Sequence, residues 1–332
     1  MSRKNSIDIL RVLGALAVVA LHTLNAPVVA YKGELSASLL YNLKSVEILM
    51  GWVVPVFFMI TGYCLSNKKE CSYKYCFSHV KKYVIVLFTI GLFYALLEEI
   101  YSAMGSGAPL FSLSMLGRAL LNVINGNLWD HMWFVYSIIG IYLVMPVIHT
   151  FMQTGERNIR ILTLLLFIFS ILLPEINRKT ALNIDVDFPF MGFLFYVCFG
   201  AMARKCETKK WFYYTVIVLG ILSAIYMVNF HTEIGRYDNK SPFISLLAMA
   251  VFLFVNSFEF KGNKVIYELA ACTWGIYLVH PIFLNVGIKL FKIDLLTTMP
   301  YLKLTAAWLV VFALSFGLVW ILRRLPLFKE IL

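Results

Sequence analysis

Arg11 and His22 lie in an otherwise apolar stretch near the start of the sequence, RVLGALAVVALH, with ten nonpolar residues between them. In an α-helix, eleven positions at about 100° each return the second side chain to within about 20° of the first, about 16 Å further along the axis. Histidine titrates near neutrality, so His22 is a candidate general base or a transient acyl carrier, whereas Arg11 is a permanent cation. The alternative is that Arg11 reaches the lipid headgroups and that His22 is an ordinary interfacial histidine.

Ionisable and aromatic side chains also occur at comparable depth in other apolar segments. His280 precedes Pro281, which removes one helical hydrogen bond. Charged groups inside apolar helices are costly and commonly mark binding or transfer sites, so their recurrence predicts a buried polar site around His22. The candidate substrate-binding residues are Glu47, Asp130, His131, Trp133 and His280. The alternative is that Glu47, His131 and His280 are each a satisfied polar or boundary residue and that Trp133 serves packing.

The composition identifies an integral membrane protein. Of 332 residues, 61% are hydrophobic and 14% are charged, and the apolar residues occur in runs of about 20. These runs lack the alternation of barrel strands, so we expect an all-α, polytopic helical bundle in one domain over residues 1–332, with no appended soluble domain. Residues 114–127 are predicted to form an interfacial helix. The ten predicted spans are 7–30, 46–66, 83–101, 129–152, 159–176, 188–203, 211–230, 242–258, 265–290 and 301–322.

The distribution of lysine and arginine predicts the orientation of the chain. With a cytoplasmic N-terminus, 18 of the 29 cations lie on the cytoplasmic side and 10 on the other, so we expect both termini in the cytoplasm of a bacterial cell. This bias and contact with anionic membrane lipid explain the net charge of +11 without a nucleic-acid partner. The cysteines fall on the cytoplasmic side, where no disulfide is expected. Cys71, Cys76 and His79 are too few for a zinc site, so no metal is predicted.

Four motifs in chain order resemble the membrane-bound acyltransferase 3 family: the Arg11 to His22 spacing, VPVFFMITGY, HMWFVYSIIGIYLVMP and WGIYLVHPIF. The resemblance runs from the first to the tenth span. It implies transfer of an acyl group, usually acetyl from cytoplasmic acetyl-CoA, to a hydroxyl of a cell-surface or lipid-linked glycan. It also implies that Arg11 and His22 are catalytic. Lys81 and Lys82 stand where relatives often have arginines.

The expected chemistry agrees with this resemblance. His22 would deprotonate the acceptor hydroxyl, while Arg11, Lys81 and Lys82 could hold the phosphates of acyl-CoA. The two lysines could instead serve orientation alone. Two other functions stay open, namely a transporter of a small solute such as an amino acid, since some relatives fused to a racemase are linked to uptake, and a structural or sensing membrane protein.

Overall fold

Helices are the only regular secondary structure in the residues described by the structure, a computed structural model, and the prediction of an all-α membrane bundle is confirmed. Eight helical stretches in that part are long and apolar enough to cross a membrane, and Pro242–Ser257 is a shorter apolar helix. Within the described residues, every predicted span overlaps at least one helix. The described residues are 4–31, 33, 35–107, 109–129, 131–180, 191–234, 239–329 and 331–332.

The described helices form two compact units, a larger unit of Met1–Asn67 and Glu156–Glu330 and a smaller unit of Lys68–Gly155. The single-domain expectation stays a prediction. Short π-helical segments occur at Leu87–Gly91, Ile168–Leu172 and Val286–Leu290. In chain order the helices are α1 (Asn5–Ala30), α2 (Ala37–Leu49), α3 (Val53–Ser66), α4 (Tyr73–Val86), α5 (Leu92–Ser106), α6 (Leu113–Asn125), α7 (Trp133–Met152), α8 (Glu156–Phe167), α9 (Leu173–Lys179), α10 (Met191–Lys205), α11 (Lys210–Ile234), α12 (Pro242–Ser257), α13 (Lys264–Asn285), α14 (Pro300–Leu322) and α15 (Pro326–Lys329).

Local sequence explains several helix boundaries. The hydroxyls of Ser36, Ser72 and Ser112 each accept a hydrogen bond from the backbone N–H three residues later and so cap α2, α4 and α6. Gly107 and Gly126 end α5 and α6 with φ angles of 70° and 75°, a conformation that glycine adopts without steric cost. These short polar and glycine signals fix where the apolar helices begin and end.

The second predicted span is divided into two helices, which changes the position expected for Glu47. Helix α2 ends at Leu49 and α3 begins at Val53. Pro55 has no N–H to bond the carbonyl of Gly51, so a helix that contains Pro55 in its first turn must start anew just before it. Glu47 therefore lies in the last turn of α2 instead of the first turn of a continuous span.

Small residues allow close helix packing in the larger unit. A Cβ atom on Gly62 of α3 would lie 1.8 Å from the Val197 carbonyl oxygen of α10, and one on Gly200 would lie 1.9 Å from the Met59 carbonyl oxygen. Glycine at these two positions lets the backbones of α3 and α10 touch, as is common where helices pack within a membrane. This contact holds α10 against α3, which also packs against α1.

The smaller unit contains α4 to α7, with α4 packed on α7 and α5 on α6. Arg118 of α6 forms an ion pair with Glu99 of α5, with 2.7 Å between Nη2 and Oε2. On α6 the buried residues Met115, Ala119 and Val123 follow at four-residue intervals. The helical prediction for residues 114–127 is confirmed to within two residues, and its interfacial position stays a prediction.

Candidate functional site

His22 and His280 lie side by side in the larger unit, although they come from opposite ends of the sequence. Helix α1 packs against α13 and brings the two imidazole rings to a centroid distance of 5.1 Å, with an angle of 47° between their planes. His280 is fully buried, with 0% relative exposure, whereas His22 is half-buried. Two of the sequence-predicted site residues thus form one histidine pair, of which only His22 is partly exposed.

Pro281 explains the protonation pattern of His280. In a regular helix the N–H of residue 281 would bond the carbonyl of Tyr277, but proline has no N–H. The Nδ1 atom of His280 lies 2.9 Å from this carbonyl oxygen and 3.1 Å from that of Ile276. Carbonyl oxygens only accept, so Nδ1 carries a proton and Nε2 is the basic nitrogen of the neutral ring. The His-Pro sequence therefore fixes the tautomer of the buried member of the histidine pair.

Aromatic side chains of α13 continue from the histidine pair along the same helix. Tyr277 lies 6.5 Å from His280 and stacks on Trp274 with 5.4 Å between ring centroids. Tyr277 also packs against an apolar cluster formed by Ala17 and Val18 of α1 and Val53 of α3. The stretch of α1 between His22 and Arg11 is therefore in contact with residues of both α3 and α13.

Arg11 lies on α1 beside a carboxylate that the sequence analysis did not assign to the site. Its Nη1 is 3.2 Å from Oδ1 of Asp8, and its Nη2 is 3.6 Å from the Sγ of Cys64 on α3. The side chain of Asp8 is 1% exposed and that of Arg11 is 35% exposed. The i, i+3 spacing on a helix was the available signal for this pair. Asp8 orients the guanidinium and partly offsets its charge.

The remaining predicted residues do not all join the histidine pair. Glu47 forms an ion pair with Lys44 one turn earlier in α2, with 2.9 Å between Oε2 and Nζ. Asp130 lies outside the described residues. The others belong to the smaller unit, where His131 is buried and Trp133 is exposed at the start of α7. Lys81 and Lys82 lie on α4, the first exposed and the second half-buried. The proposed roles of these residues stay predictions.

The smaller unit contains an aromatic and carboxylate cluster that the sequence analysis missed. The indole N–H of Trp129 donates to Oε1 of Glu98 at 2.7 Å, and the indole stacks on Tyr94 with 4.2 Å between centroids. The ring of His131 meets the same tyrosine edge-on at 5.4 Å. A carboxylate inside an apolar span was the signal that could have identified Glu98.

The cysteines do not assemble a metal site in the described residues. Cys71 and Cys76 are buried with 3.4 Å between their sulfur atoms. The ring of His79 stacks on Tyr142 at a centroid distance of 5.0 Å. Within the part of the chain that the structure describes, no group of three or more histidine, cysteine or acidic side chains could hold a metal ion.

Comparison with known proteins identifies the family of the chain. A family model described as an acyltransferase domain matches residues 4–324. A protein named amino-acid racemase from Enterococcus faecalis is 26% identical over 304 residues, which are 84% of this chain. The match spans 41% of the racemase's length. A protein named probable poly-beta-1,6-N-acetyl-D-glucosamine export protein from Staphylococcus aureus is 26% identical over 287 residues, 80% of this chain and 77% of that protein. No solved structure matches the chain.

The match to the family model covers nearly all of the helices described above, and the chain therefore belongs to the acyltransferase 3 family of multi-pass membrane proteins.

Proposed function

We propose that the protein is a membrane O-acyltransferase that moves an acyl group, most simply acetyl, from acyl-CoA to a hydroxyl of a cell-surface or lipid-linked glycan. The observation that carries this proposal is the histidine pair, whose member His22 shares one face of α1 with Arg11. The helix separates the two positions by about 16 Å, so donor and acceptor can approach from different ends of α1.

The proposed reaction needs only proton transfer and orientation, because a thioester is already activated. A ring nitrogen of His22 takes the proton of the acceptor hydroxyl while the hydroxyl oxygen attacks the thioester carbonyl. The carbon–sulfur bond then breaks, the coenzyme A thiolate leaves, and the proton held by His22 is returned to it. A transient acyl-histidine on His22 followed by attack of the hydroxyl gives the same products in two steps.

His280 supports this chemistry through its fixed tautomer. Because Nδ1–H donates to the Tyr277 carbonyl, Nε2 can accept a proton or a hydrogen bond on the side of the ring that the helix does not occupy. We infer that His280 orients His22 or the acceptor hydroxyl.

The glycan acceptor is supported by the relatives and by aromatic side chains. Several related proteins carry a name that refers to poly-beta-1,6-N-acetyl-D-glucosamine, a polysaccharide rich in hydroxyls. In the smaller unit, Trp133 is exposed, and Trp129 is held by the carboxylate of Glu98. Aromatic faces that stack on sugars and carboxylates that accept from their hydroxyls suit such an acceptor.

For localisation we propose the bacterial cytoplasmic membrane with both termini in the cytoplasm, where acyl-CoA is present. Arg11, Lys81 and Lys82 are then donor-side cations, and His22 lies toward the outer face. The excess of lysine and arginine on that side supports this orientation.

The test uses proteoliposomes of one orientation, loaded with acetyl-CoA on the face that bears the N-terminus. A soluble β-1,6-linked N-acetylglucosamine oligomer is supplied on the opposite face, and mass spectrometry detects one added acyl group. His22→Gln should abolish the product, whereas the same change at His149 of α7 should preserve it. Size-exclusion chromatography and thermal unfolding confirm that both variants are folded.

Three results would contradict parts of the proposal. Normal acylation by folded His22→Gln removes His22 from the mechanism. Product that forms only when donor and acceptor share one face rules out transfer across the membrane. Movement of the oligomer across the membrane without acylated product would support a transporter. The Staphylococcus aureus relative, whose name is that of an export protein, favours this alternative.

A further inference from the structure

A group of cations that the proposed mechanism does not yet use lies at the end of the larger unit where α1 begins. Arg204 is in the last turn of α10, and Lys4 directly precedes α1. Both side chains approach the ring of Tyr63 on α3, which is buried with 5% exposure. We refer to Lys4, Tyr63 and Arg204 as the basic cluster.

Arg204 and Lys4 are held by neutral oxygens and by the tyrosine ring. Nη1 of Arg204 donates to the Tyr63 hydroxyl at 2.7 Å, and its guanidinium carbon is 4.9 Å from the ring centroid. Nζ of Lys4 donates to the Asn256 carbonyl at 3.2 Å and lies 5.6 Å from the same ring centroid. These bonds fix the positions of the two cations but do not neutralise their charge.

The basic cluster is continuous with Arg11. Tyr63 and Cys64 are successive residues of α3, and the Cys64 sulfur lies 3.6 Å from Nη2 of Arg11. Cys64 is also within electrostatic range of both Arg11 and Arg204. Asp8 contributes one negative charge to this group and is paired with Arg11. Among the described side chains named here, three cations and one carboxylate leave a net positive charge.

Like charges that are partly removed from water repel each other strongly unless an anion joins them. A guanidinium presents a planar fork of N–H donors that suits phosphate oxygens, and an ammonium adds a point charge. Since Arg11 continues the cluster onto the α1 face that carries His22, a bound phosphate group would lie at the Arg11 end of this face, about 16 Å from His22 along the helix.

We propose that the basic cluster binds the phosphate groups of the acyl-CoA donor, with Arg204 as the principal contact. This assignment rests on the proposed acyltransferase function and adds Arg204, Lys4 and the Tyr63 hydroxyl to the donor site. Phospholipid headgroups carry the same phosphate chemistry, and the experiment distinguishes the two sources.

The experiment compares donors with and without phosphates. Acetyl-CoA and the phosphate-free thioester S-acetylpantetheine are each used as donor by wild-type protein and by Arg204→Gln. The variant should raise the KM for acetyl-CoA about tenfold or more, the effect of losing one charge-assisted hydrogen bond. It should leave kcat/KM for S-acetylpantetheine unchanged, which a structural role of Arg204 would not allow. Arg204→Lys should recover part of the acetyl-CoA affinity because the charge remains.

The matched control is Arg323→Gln, which removes a cation of the larger unit that contacts the Cys272 sulfur at 3.4 Å. It should leave both donors unaffected. Titration of detergent-purified protein with coenzyme A, and with phosphatidylglycerol in a phosphatidylcholine nanodisc, separates nucleotide from lipid. Weaker binding of phosphatidylglycerol by Arg204→Gln, with unchanged coenzyme A affinity, would assign the cluster to lipid and overturn the proposal.

An equal loss of activity with both donors would also overturn the proposal, because it would make Arg204 structural. These outcomes differ from failure of the proposed function, in which the wild-type protein would acylate no acceptor with either donor.

Discussion

Replacing Pro281 by alanine should increase the stability of the protein and lower its acyl-transfer activity. Alanine restores a backbone N–H that can bond the Tyr277 carbonyl, which Nδ1–H of His280 now occupies at 2.9 Å. Two effects of opposite sign follow from one substitution, because the helix gains a hydrogen bond that the histidine loses.

The magnitudes can be worked out from the same contact. A helix-interior proline is about 3 kcal/mol less favourable than alanine, and the lost packing of two ring methylenes offsets about half of this. The hydrogen bond that His280 loses costs about 1 kcal/mol more, so the net gain in the free energy of unfolding is about 0.5 kcal/mol. A neutral hydrogen bond contributes about 1 kcal/mol, which is about fivefold in the population of the oriented His280 ring. Because Nδ1 can still donate to the Ile276 carbonyl at 3.1 Å, we expect a fivefold loss of rate and not complete loss.

The assay measures the initial rate of acyl transfer at saturating donor in proteoliposomes, together with the thermal unfolding midpoint in detergent. Pro146→Ala is the matched control, since Pro146 lies inside α7 but follows a methionine. It should leave the rate unchanged. In a His280→Gln background, Pro281→Ala should have no further effect on rate. An equal drop in both backgrounds would show that proline acts through something other than the His280 tautomer and would refute the reasoning.

Two further predictions concern stability. Arg11→Ala should cost about 2 kcal/mol because it removes a cation from the buried carboxylate of Asp8, whereas Asp8→Asn should cost only about 1 kcal/mol since Arg11 is 35% exposed and stays solvated. Thermal unfolding of both single variants and the double variant measures this asymmetry, and equal costs would contradict it. Gly62→Ala should destabilise by about 1 to 3 kcal/mol, because its Cβ would lie 1.8 Å from the Val197 carbonyl oxygen, while Gly117→Ala in the open should be neutral or stabilising. Matching unfolding midpoints for the two glycine variants would show that α3 and α10 separate without cost.

Much of the fold follows from local properties of the sequence. Apolar runs of about 20 residues require helices in a bilayer, because only helices satisfy their own backbone groups there. Pro55 marks where α3 must begin, but the predicted span 46–66 runs across this position, since hydropathy alone carries no information about a missing N–H. The predicted position of Glu47 in its helix was wrong for the same reason. Its ion pair with Lys44 joins residues three positions apart, which are neighbours on a helix surface.

The sequence by itself determined the face of α1 that carries Arg11 and His22, because helical periodicity is a local property. The His-Pro dipeptide also determined the tautomer of His280, because the Tyr277 carbonyl that Pro281 leaves without a backbone donor lies within the same helix. Only the tertiary structure decided that His22 meets His280, and that Arg204 of α10 bonds Tyr63 of α3. These contacts depend on how closely the backbones pack, as at Gly62 and Gly200. Such packing is set by the shapes of both helices together, which neither helix encodes alone.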